Sequence, residues 1–180
     1  MNLNEELSII LDVRSRFPVQ VEYLVAALGL KLEWKELDED TSGMIESEGN
    51  SFKITVNSTH SYSRQRFTIA HELGHYMMHR NLIGDGLCDD RMYRSKNCKF
   101  QNPDVGHEQE KSANRFAANL LMPDELVKKQ KDNVPANEEP AKWLARQFQV
   151  SQQAMEIKLR NISLPLPHYH PRHSGFIWTG

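Results

Sequence analysis

At 180 residues, 39% of them apolar and 26% charged, the chain suits one soluble domain with a real core and at most a small appendage. A net charge of −2 leaves no global electrostatic footprint for nucleic acid. The first turns carry Glu5, Glu6 and Asp12 and do not read as a signal peptide; no stretch approaches the ~20 apolar residues of a membrane span, so a cytoplasmic protein is expected.

Residues 4–15 read as a helix with Leu7, Ile10 and Leu11 on one face. Pro18 opens a second helix carrying Val21, Leu24, Val25 and Leu28, and Gly29 closes it. Strand signals follow. Leu30, Leu32 and Trp34 alternate with charged residues, Met44 and Ile45 follow Gly43, and Phe52, Ile54 and Val56 alternate after a Glu48-Gly49-Asn50 turn. The pattern predicts a small antiparallel sheet just before the next helix, which Ser61 or Ser63 can cap and which runs to about residue 80.

That helix contains His71-Glu72-Leu73-Gly74-His75. Residues four apart on a helix stand about 40° apart around its axis, so both imidazoles can point at one Zn²⁺. Glu72 lies about 60° round from His75, beside such a metal, where a carboxylate can take a proton from activated water. Ile69, Ala70, Leu73 and Met77, with Phe67 and Met78 further round, fall away from the histidines, giving a core face and a metal face on one helix. Gly74 sits in the buried arc at a cost of about 1 kcal/mol against Ala, which predicts close approach of another backbone.

Residues 84–106 are polar and aperiodic, a long loop holding Cys88, Tyr93 and Cys98, the thiols expected to be reduced. Asp104 can cap a helix that carries Glu110 to Leu121. Pro123 stops that helix and starts another at 124–131, and 133–140 reads as a linker. Residues 141–148 and 151–161 then form a helix–turn–helix-like pair, with Ser151 as the second cap. Gln149 stands where such turns usually take glycine, and the charges are nearly balanced. A packing or partner-binding role is therefore favoured over direct DNA binding. The tail from Leu164, with His168, His170 and His173, reads as irregular. The expected organisation is a domain at 1–132, a helical subdomain at 133–163 and a tail at 164–180.

A catalytic zinc site needs a third protein ligand and leaves a fourth position for water. Glu110 is the preferred candidate. It shares its helix face with Ala113, Asn114, Ala117 and Leu121, and the two alanines would allow close helix packing. An ordinary glutamate of a first helical turn fits the same spacing. His107, one turn earlier on nearly the same face, is the rival as a ligand or as a donor to a developing oxyanion, a role also open to Tyr93. His79 continues the histidine row but drifts past the metal, where it would partner a glutamate or backbone.

The segments RFTIAHELGHYMMH and EKSANRFAANLLMP together resemble the ImmA/IrrE family of metallopeptidases, from about Gly43 to Pro123 and more loosely to Ile162. The resemblance implies a zincin-like α+β core with a small antiparallel sheet beside the active helix. It also implies zinc held by His71, His75 and Glu110, catalysis by Glu72, and an intracellular partner, many members acting on repressors encoded next to them. The expected function is a cytoplasmic zinc endopeptidase directed at a helix–turn–helix repressor, with substrate lying along an edge strand at 53–57. The alternative is a non-proteolytic, metal-binding regulatory protein such as a toxin–antitoxin component. The presence of Glu72 favours the enzyme, since a structural metal has no use for a base beside it.

Overall fold

The computed structural model describes residues 2–83, 87–90 and 106–163. Its architecture is α+β. Helices α1 (Leu3–Arg14) and α2 (Val21–Ala27) precede strands β1 (Lys31–Lys35), β2 (Thr41–Glu48) and β3 (Ser51–Asn57). Helix α3 (Tyr62–Met78), the short α4 (Arg80–Ile83) and strand β4 (Leu87–Asp90) follow, then α5 (His107–Leu121), α6 (Asp124–Lys131), α7 (Pro140–Phe148) and α8 (Gln152–Ser163). None of the described helices is long and apolar enough to cross a membrane.

The sheet has the order β1-β3-β2-β4 and is mixed, which corrects the antiparallel expectation. β2 and β3 form a hairpin through Gly49, whose φ of +62° suits glycine at the tight turn. β1 instead runs parallel to β3, pairing Leu32 with Ile54 and Trp34 with Val56. β3 is therefore interior, flanked on both sides, so 53–57 is not an edge along which substrate could lie. The edges among the described strands are β1 and β4. β4 corrects the reading of 84–106 as aperiodic loop: its sequence, Leu-Cys-Asp-Asp, has no strand alternation, and its order comes from pairing with the open side of β2. Cys98, Tyr93, Asp104 and the histidine tail lie outside the described residues.

Helix α1 starts with a capping box in which the Asn2 side chain accepts from Glu5 N–H and Glu5 reaches back to Asn2 N–H. Its buried side is Glu6, Ile10 and Val13, whereas Leu7 and Leu11 are exposed. The difference from the expected face has a physical cause. Glu6 is wanted inside, where its carboxylate accepts from Tyr76 Oη at 2.8 Å and from Arg80 Nη2 at 2.8 Å. The pair turns the helix so that an acid faces inwards with both oxygens satisfied.

Buried Asn57 closes β3 and prepares the entry to α3. Its amide donates to the carbonyls of Leu37, Asp38 and Thr41, and its oxygen accepts from Thr59 N–H and Oγ1. Two backbone segments are thus held against the start of the long helix. Ser61 stands at the N-cap position, but its hydroxyl makes no capping bond there. At Gly43 a Cβ would meet Thr68 Cγ2 at 2.5 Å and Thr55 O at 2.6 Å, so glycine there lets α3 lie directly on β2.

The core is continuous along the chain. Val13, Leu24, Ile45, Ile54, Ile69 and Leu73 belong to the same buried cluster as Leu121, Leu144, Phe148 and Met155. The α7–α8 turn places Gln149 at φ 55°, the left-handed position, and Ser151 Oγ accepts from Ala154 N–H as the expected cap of α8. Phe148 meets Phe17 edge to face, with ring centroids 4.6 Å apart, and Lys158 bridges to Asn119 and Asp124.

Candidate metal centre

Helix α3 is the middle of the molecule. From Thr68 to Tyr76 every residue is buried, including His71, Glu72 and His75, because the sheet covers one side and α5 the other. The expected core face is buried at Ile69, Ala70 and Leu73, and the face that carries the histidines is buried as well. The approach to α5 is close for the reason its sequence suggested. A Cβ on Gly74 would meet Ala113 Cα at 3.0 Å, its carbonyl oxygen at 3.2 Å and its Cβ at 3.3 Å. Ala113 and Ala117 face α3 and are fully buried.

That approach brings Glu110 to the histidines. Its Oε2 lies 3.3 Å from His71 Nε2, its Oε1 lies 3.2 Å from His75 Nε2, and the two Nε2 atoms are 3.0 Å apart. These three residues form a group of donors able to hold a metal ion. Ligand atoms at 2.0–2.1 Å from a tetrahedral zinc stand about 3.4 Å from each other, so the observed separations fit such an ion with small relaxation. Burial pushes the Glu110 carboxyl pKa up, but the His71 and His75 rings against it outweigh that and hold the pKa at about 2. The group stays an anionic ligand at neutral pH. Glu72, between the histidines in sequence, is fully buried on the same helix.

The far nitrogens of both rings are engaged. His71 Nδ1 is 3.1 Å from Asn114 Oδ1, one helical turn beyond Glu110 on α5. His75 Nδ1 is 3.3 Å from His79 Nδ1, and His79 Nε2 is 3.1 Å from Ser112 Oγ. Burial, with His75 beside it, lowers the His79 pKa below the usual histidine value. His79 is expected from the sequence to partner a glutamate or backbone; its ring instead joins His75 to a serine. His107 is exposed at the first residue of α5 and stands outside the donor group. The N-cap of α5 is Gly106, whose N–H donates to Gln109 Oε1.

A model of the IrrE N-terminal-like domain, peptidase family M78, matches residues 38–160. The chain belongs to that family. No curated protein matches it. The matched span holds both halves of the donor group, strands β2, β3 and β4 and most of the α7–α8 pair, with β1 lying just before it, so the M78 domain takes in the whole of the candidate centre.

The packing of Gly74 carries a prediction. Gly74→Ala gains about 1 kcal/mol of helix propensity but forces a methyl against backbone that cannot rotate away, a cost of about 1–3 kcal/mol. Ala113 must retreat by several tenths of an ångström and carry Glu110, one turn away, with it. The expected outcome is a zinc affinity about tenfold lower or worse at little change in helix content, read by chelator competition and circular dichroism. Wild-type affinity in Gly74→Ala would mean that this contact does not set the ligand spacing.

Proposed function

We propose that this chain is a zinc-dependent endopeptidase of the cytoplasm, acting on a helix–turn–helix repressor encoded nearby. The observation that carries the reading is the convergence of His71, His75 and Glu110, buried on two closely packed helices, with a glutamate directly after the first histidine. Membership of a metallopeptidase family supports it. Zinc, when bound by these residues, supplies a Lewis acid that polarises the scissile carbonyl and acidifies water.

The remaining work falls to the chain itself. The Glu72 carboxylate takes the proton from the attacking water and delivers it to the leaving amine nitrogen, so one residue serves as base and then as acid. Enclosure of α3 keeps this carboxylate in a low-dielectric setting, where its proton transfers are not diluted by bulk water. An extended segment of substrate can add to a free sheet edge, and β1 and β4 are the edges among the described strands. A linker between the DNA-binding and dimerisation parts of a repressor is such a segment, and one cut there separates the two.

The test uses the purified protein with an unstructured polypeptide and, separately, with the neighbouring repressor, fragments being read by mass. Zinc-loaded protein is expected to cut both. Chelation should abolish cutting and added zinc restore it. An intact repressor beside a cut polypeptide would remove the repressor as substrate, and no cutting of either would remove the peptidase reading.

A further inference from the structure

We propose that His79 and Ser112 are positioning residues for the metal centre: a relay from His75 through His79 to Ser112 fixes His75 with its proton on Nδ1 and its Nε2 lone pair facing Glu110. This rests on the metal reading above and adds two residues of the chain to it.

The direction of the relay follows from counting protons. The Ser112 hydroxyl has one, and it goes to the carbonyl of Gln109 at 2.8 Å. At 3.1 Å from His79 Nε2 the same oxygen therefore accepts, which places a proton on His79 Nε2. In the neutral ring His79 Nδ1 is then the acceptor, and its neighbour at 3.3 Å, His75 Nδ1, must donate. That leaves His75 Nε2 as the basic nitrogen, 3.2 Å from Glu110 Oε1 and 3.0 Å from His71 Nε2. His71 is set the same way by a shorter path, its Nδ1 facing Asn114 Oδ1.

The relay has a geometric consequence. Gln109, Ser112 and Asn114 all belong to α5, the helix that carries Glu110. Each ligand histidine of α3 is thus tied through its far nitrogen to the helix that provides the third ligand. Partners of this kind typically contribute 10–100-fold to metal affinity.

The experiment measures zinc affinity of the full chain by chelator competition for wild type, His79→Ala, Ser112→Ala, the double variant and Ser112→Thr. A ten- to hundredfold loss is expected for His79→Ala and a smaller loss for Ser112→Ala. The double variant should match His79→Ala alone, because Ser112 acts only through His79. Ser112→Thr, which keeps the hydroxyl, should bind like wild type. Nitrogen NMR of the metal-free protein adds a reading that general destabilisation would not move: His75 should sit in the Nδ1–H form in wild type and lose that preference in His79→Ala. If His79→Ala does not fold, the contrast between Ser112→Ala and Ser112→Thr decides. Unchanged affinity in the variants, fully additive losses, or an unchanged His75 tautomer would overturn the relay while leaving the metal site standing. A wild-type chain that binds no zinc would remove the metal reading and the relay together.

Discussion

Glu72→Gln is expected to keep its zinc and lose cleavage by roughly 10²–10⁴-fold, the usual contribution of a positioned general base. The substitution preserves size and keeps an oxygen and hydrogen-bonding capacity at a fully buried position, so α3 has little reason to rearrange. What it removes is the ability to accept a proton. Metal analysis and a cleavage assay on the same preparation separate the two properties. Zinc retained with cleavage lost assigns the base; full cleavage by Glu72→Gln would show that this carboxylate is not the proton acceptor, and the non-proteolytic regulatory reading would gain ground.

The second large effect concerns the candidate third ligand. Glu110→Ala takes away the anionic donor and leaves two imidazole nitrogens 3.0 Å apart without it. Zinc affinity should fall by more than the 10–100-fold that outer partners typically contribute. Thermal stabilisation by added zinc, present in wild type, should fall with it. His107→Ala is the matched control, because His107 is exposed one turn away and outside the donor group. Its zinc content should equal that of wild type. The reverse pattern, occupancy kept in Glu110→Ala and lost in His107→Ala, would reassign the ligand.

The centre was largely legible in the sequence because its parts are local or stacked on one helical face. His71 and His75 are one turn apart. Glu110 shares a face with Ala113 and Ala117, and Gly74 announces that another backbone must come close. The outer partners were harder to read. Nothing in the spacing of His79 says that its ring turns back to His75 Nδ1, since that depends on Ser112 arriving from another helix. The sheet was read only in part. Alternation located β1 and β3, but parallel pairing depends on how the chain crosses between them, and β4 has no pattern of its own. The face of α1 was misjudged because apolar spacing favoured Leu7 and Leu11, whereas a buried Glu6 held by Tyr76 and Arg80 decides the rotation.

The shared core has a consequence for how this protein comes apart. Phe148 and Met155, from the last two helices, are buried in the same cluster as Leu73 of α3, and Phe148 covers Phe17 near the start of the chain. Peeling the final helices away would uncover both aromatic rings and break the shared cluster at once. Replacing Phe148 alone by Ala would cost about 3–5 kcal/mol, a large share of a total stability of roughly 5–15 kcal/mol. A single cooperative melting transition from the first helix to the last is therefore the expected outcome, read by calorimetry. A shortened version for biochemical work should end beyond α8 and not at the turn after α6.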